Sequence, residues 1–203
     1  MRALALALLA LAATLAPADR LIAAPSGRKV TYGTVKFDAV WEGDGERCLQ
    51  STVSYGLTPA LEVSLGGEYV DSRNALPTLD LAYTITDPVV NYVPGLAIGV
   101  QDAFGNTFLG RRFYVAVSYD VGMTGRYNGD TPLQLTLGAG TGGHNGAFVG
   151  VSIPWTSRFR LLAEHDATRI TAGIEVRPAD GLWLRMLARD RRSVWGLGWT
   201  ARL

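Results

Sequence analysis

Any acid–base chemistry in this chain would have to start from its two histidines. His165 sits in Glu164-His165-Asp166, a base between two carboxylates, and an outer-membrane lipid hydrolase would need its base at such a place near a strand end. The same segment supplies no serine, and no Gly-x-Ser-x-Gly elbow occurs anywhere to hold a nucleophile. His165 therefore reads as a polar group at a rim. His144, in the turn Gly142-Gly143-His144-Asn145, reads as solvated. The glycine-rich stretch 138–146 lacks the Lys-Ser/Thr pair and the following helix of a phosphate loop. Cys48 is a lone cysteine, so it offers neither an internal disulfide nor cysteine-based metal-ligand spacing. The expectation is no catalytic residue, no bound cofactor and no metal.

What the sequence does offer is charge gathered on one parity of its alternating segments. In the first part that parity holds Asp38, Glu62, Glu68, Asp80 and Asp120 with Lys36. In the last part it holds Arg160, Arg177, Arg185, Arg189 and Arg202 with Glu164, Asp166 and Glu175. If this parity faces the inside of a closed structure, one wall is acidic and the other rich in arginine. Two consequences stay open. The charges could neutralise one another as a plug of ion pairs, since buried charges need partners. They could instead set a transverse field along a narrow pore that favours polar or charged solutes.

The elements that must position these groups are strands. From residue 30 onward a period of two recurs: Trp195, Leu197, Trp199 and Ala201 alternate with Gly196, Gly198, Thr200 and Arg202. Leu182, Leu184 and Met186 alternate with Trp183, Arg185 and Leu187 in the same way, and so do Leu61, Val63 and Leu65 with Glu62, Ser64 and Gly66. Turn residues such as Leu57-Thr58-Pro59, Asp87-Pro88, Gly129-Asp130 and Pro178-Ala179-Asp180-Gly181 separate the segments. The count predicts an all-β chain, a single up-and-down antiparallel transmembrane β-barrel of about twelve strands over residues 29–203, with both termini on one side. Residues 19–28 read as a short unpaired lead-in. On the polar parity, Gly196 and Gly198 should accept serine at little cost.

Composition agrees with an exported barrel. Of 203 residues 48% are hydrophobic and only 18% charged, which excludes a disordered chain, and a formal charge of +1 argues against a nucleic-acid partner. Residues 1–18 run from Met1-Arg2 through an apolar stretch to Ala16-Pro17-Ala18, the pattern of a cleaved signal peptide. Alternation alone does not say which face is inside. A soluble lipocalin-like barrel that binds a small ligand would bury the apolar set, whereas an outer-membrane barrel turns it toward lipid. Three features favour the membrane. The polar parity is rich in Gly, Ser and Thr, and only Lys29 and Lys36 are lysines. Trp41, Tyr55, Tyr69, Tyr119, Trp155, Phe159, Trp195 and Trp199 lie near turns or flank apolar runs, as interfacial girdles require. Twelve apolar-in strands would also leave a cavity these side chains could not fill.

Four segments, Tyr55-Gly56-Leu57-Thr58-Pro59-Ala60-Leu61-Glu62-Val63, Leu96-Ala97-Ile98-Gly99-Val100-Gln101-Asp102, Tyr114-Val115-Ala116-Val117-Ser118 and Leu162-Ala163-Glu164-His165-Asp166, resemble the hairpins of the YjbH-like outer-membrane barrel family over roughly residues 46–203. Leu203 stands where many outer-membrane barrels end in an aromatic. The resemblance implies an outer-membrane role linked to exopolysaccharide export or assembly, and the missing catalytic motifs make the expected cell-envelope role a non-enzymatic one. Its implied partners are outer-membrane lipid, polysaccharide and export-machinery components.

Overall fold

The computed structural model describes residues 21–43, 48–70, 76–107, 110–122, 131–142 and 145–203. The proposed export segment 1–18 and His144 lie outside them. Twelve strands follow one another: β1 (Thr34–Glu42), β2 (Cys48–Gly56), β3 (Leu61–Val70), β4 (Leu76–Thr86), β5 (Gly95–Gln101), β6 (Arg112–Val121), β7 (Leu133–Gly142), β8 (Gly146–Thr156), β9 (Phe159–His165), β10 (Ile170–Ala179), β11 (Leu182–Arg189) and β12 (Arg192–Arg202). Each pairs antiparallel with its neighbours in sequence, and β1 pairs with β12 to close the ring. This is the up-and-down barrel that the alternation predicts. Closure leaves no strand edge unpaired.

The tight turns are built by residues that tolerate positive φ. Asp190 and Arg191, at φ 48° and 72°, form the two-residue link between the paired Arg189 and Arg192, matching the twist of the strands they join. The end of the barrel where β1 begins and β12 finishes is called the terminal end below, and the other the far end.

The two faces are inverted relative to a soluble barrel. Ser54, Ser64, Thr78, Ser118, Thr136, Ser152, Thr171 and Thr200 are buried inside, while Leu65, Ile98, Leu137, Val149 and Leu184 are exposed outside. Outward aromatics collect at both rims. At the far end Trp41 stands directly across the β1–β12 pairing from Trp195, with Tyr69 nearby in sequence order on β3. At the terminal end lie Tyr55, Tyr119, Trp155, Phe159 and Trp199. Strands of about ten residues, rising about 3.3 Å each and tilted by about 40°, give a band about 25 Å tall between those rims.

Inside, the glycines of β12 make room unequally. A Cβ on Gly198 would lie 2.2 Å from the Trp183 ring, whereas the nearest atom to one on Gly196 would be Arg185 Cβ at 3.2 Å. The expectation that both accept serine therefore needs correcting at Gly198, because Trp183 lies across it on the neighbouring strand. Gly198→Ser is expected to destabilise by about 1 to 3 kcal/mol through overpacking, and Gly196→Ser by clearly less. Urea midpoints of the two variants refolded in micelles check this, and equal midpoints would refute it.

Candidate functional site: the occupied lumen

The interior is not left to side chains alone. A twelve-stranded ring is wider than the eight-stranded barrels that side chains just fill, and here many inward positions are small, among them Ala97, Ala116, Ser118, Gly196 and Gly198. The remaining space is taken by the chain upstream of β1. Residues 21–28, which the sequence presents as an unpaired lead-in, lie inside the barrel, and the segment continues to β1 at Thr34.

The segment can be followed by its contacts along the axis. At the terminal end Gly33 donates to the Gly56 carbonyl and Leu203 donates to the Gly33 carbonyl. Val30, fully buried, donates its N–H to Glu62 Oε2 on β3 at 2.7 Å. Arg28 pairs with Asp120 on β6, and Gly27 N–H donates to Ser118 Oγ at 2.8 Å. Only glycine fits at that crossing, since a Cβ on Gly27 would come within 2.4 Å of the Gly95 carbonyl oxygen. Further in, Ala24 packs with Ala116 and Phe148, and Leu21 and Ile22 pack with Leu162, Leu187 and Val194 toward the far end. There the Glu164 carboxylate accepts from three successive backbone N–H groups, Ile22 at 3.1 Å, Ala23 at 2.9 Å and Ala24 at 3.2 Å. A buried carboxylate needs such donors, and buried N–H groups without a ladder need such an acceptor.

The charged residues that share the inward parity divide into three groups and a dispersed remainder. Glu62, Asp120 and Glu164 hold the segment. Asp38, Glu175, Arg177 and Arg185 form a network on the β1, β10 and β11 walls: Glu175 accepts from Arg177 Nε at 2.9 Å and Arg185 Nε at 3.0 Å, and Asp38 lies 3.5 Å from Arg185 and 3.4 Å from Lys36. Arg160 stands across from Glu175 on β9. At the far end Arg189 donates to Glu42 at 2.8 Å and to Thr171 Oγ1 at 3.0 Å. The rest are dispersed. Asp80 accepts from Asp102 N–H at 2.6 Å, Asp166 caps its own turn through the Thr168 and Arg169 N–H groups, Glu68 is half-buried on β3, and Arg202 is exposed at the terminal end.

Acid and arginine walls thus do not face each other across water. The acids of β1 close against the arginines of β11 over the β1–β12 seam, and those of β3 and β6 are met by the segment. Sequence parity misses Glu42, although it shares the parity of Lys36 and Asp38, and it misses Arg28, which lies outside any strand. Arg112 is also missed: it stacks over the Phe148 ring at 4.9 Å in the far half of the lumen.

Glu164-His165-Asp166 does not act as a unit. Glu164 and Asp166 point inward to the partners just described, and His165 has the outward parity of Leu161 and Ala163, opposite Val149 and Ile170. Neither carboxylate shares a face with the imidazole.

Neither a family model nor a curated protein matches the sequence. Among solved structures the chain is similar to the N-terminal β-barrel domain of OprF from Pseudomonas aeruginosa, at 15% identity, covering 83% of this chain and 98% of that one, with a TM-score of 0.29.

Proposed function

We propose that this chain is a non-enzymatic outer-membrane barrel, exported by a signal peptide removed after Ala18, that crosses the bilayer with its twelve strands and serves cell-envelope or exopolysaccharide traffic. The observation that carries the location is the inverted pair of faces: an exposed aliphatic band between two aromatic rims outside, and Ser, Thr and paired charges inside. In water such a band would be a very large apolar patch, and lipid is the solvent that removes its cost. The exopolysaccharide role rests on the resemblance to YjbH-like barrels. The absence of a shared face for His165 and its acidic neighbours supports a transport or scaffold role over lipid hydrolysis.

Fractionation tests the location. The protein is expected in the outer-membrane pellet after carbonate washing, to need detergent for release, and to migrate faster on gels unheated than boiled. Recovery of a monodisperse protein from the aqueous fraction without detergent would overturn it. The role is tested separately by deleting the gene and measuring surface polysaccharide, which is expected to fall; an unchanged level rejects the export role and leaves the location standing.

A further inference from the structure

At the terminal end of the lumen, between β9, β10 and β11, donors outnumber acceptors. Glu175 has an arginine across from it on each neighbouring strand, Arg160 on β9 and Arg185 on β11, with Arg177 two residues along its own strand. Its two oxygens are taken by Arg177 and Arg185. Among the described residues the side chains of Arg160 and, on the adjoining turn, Arg158 have no hydrogen bond or ion pair. Beside Arg158 opens a cavity of about 50 Å³ lined by Arg158, Arg177, Trp183, Arg185 and Thr200, with Glu175 and Asp180 as its carboxylates. Trp183 is 6% exposed, and its indole Nε1–H has no acceptor there. Arg185 Nη1 makes no hydrogen bond and is ion-paired with Asp38 Oδ2 at 3.5 Å. Lys36 and Arg185 lie over the Trp183 ring at 5.7 and 5.9 Å.

A buried indole N–H without an acceptor, and Arg158 and Arg160 without a carboxylate partner while both Glu175 oxygens are taken, describe a site short of acceptor oxygens. We infer that this cavity binds an oxyanion that enters from the terminal mouth, and, resting on the exopolysaccharide reading above, that the oxyanion is the carboxylate of an acidic sugar. Arg158 meets the ligand at the rim with its planar fork, and the Trp183 N–H supplies a fixed donor deeper in. The cavity has room for a carboxylate group and not for a whole sugar ring, so the charged end of the ligand is what enters.

Calorimetric titration of the full chain in detergent micelles with galacturonate, inorganic phosphate and galactose tests this. Both anions are expected to bind and galactose not, with galacturonate at least fivefold tighter than phosphate. Arg158→Gln, on an exposed turn, and Trp183→Phe, which keeps the ring and removes only the N–H, are each expected to weaken anion binding at least fivefold. Unheated gel migration shows that each variant is folded. Binding of neither anion, or binding that both folded variants leave unchanged, overturns the site, as does galactose binding as tightly as galacturonate. Equal binding of phosphate and galacturonate, lost in the variants, upholds the oxyanion site and overturns its assignment to an acidic sugar. None of these results bears on which cell fraction holds the protein.

Discussion

Leu184→Arg is expected to cost about 2 to 4 kcal/mol and to leave much of the protein unfolded when it is assembled into bilayers. Leu184 is 44% exposed on the outer face of β11. It pairs with Leu197, between the Leu182–Trp199 pair toward one rim and the Met186–Trp195 pair toward the other. Arginine there would have to reach an interface past apolar neighbours on both sides. Leu57 makes the matched control. It is 47% exposed, but it lies in the turn between β2 and β3, beyond the band. In a water-facing barrel the two substitutions would differ little, because exposed positions of equal accessibility tolerate charge within about 0.5 kcal/mol. In a lipid-facing barrel Leu184→Arg fails while Leu57→Arg behaves as wild type. Unheated gel migration after refolding into vesicles reads the folded fraction, and equal folding of the two variants would remove the main support for the membrane.

Deleting residues 19–30 is expected to turn a barrel that passes almost no current into one that conducts at least tenfold more in planar bilayers. The segment fills the space left by an interior in which many wall side chains are small, such as Ala97, Ala116, Ser118 and Ser152. A point variant acts on the same feature without shortening the chain. Glu164→Ala removes the acceptor of three buried N–H groups, and leaving such groups unsatisfied costs about 1 to 3 kcal/mol each. It should therefore give intermittent openings where the deletion gives steady ones. If the deleted protein folds and conducts no better than wild type, the segment is not what closes the lumen.

The ring itself was legible because alternation is a local property: Leu184 and Arg185, or Leu197 and Gly198, declare opposite faces from one residue to the next. Strand number followed from turn residues in the same way. What local pattern could not carry was the fate of residues 21–33. Leu21, Ile22 and Ala24 have no period, and their burial depends on Leu162, Leu187 and Ala116, more than ninety residues away. The same distance hid the donors of Glu164, which by parity looked like one more lumen charge in search of a cation. Gly198 failed for a related reason: its parity was right, but the side chain that fills its space belongs to the neighbouring strand.

The segment inside the barrel also constrains the order in which the molecule can be put together. It is continuous with β1, one side of the seam that completes the ring, and it is bonded to β3, β6 and β9 on the way. A ring that closed first would have to draw the thirteen residues 21–33 in through a mouth and desolvate each N–H before its acceptor was reached. If β1 and β12 join last, the sheet instead curls around a strand of chain already laid along it, each acceptor meeting its donor as the wall arrives. On that path residues 21–33 are less a stopper than a mandrel, and variants that loosen them should slow the final zipping before they weaken the finished barrel.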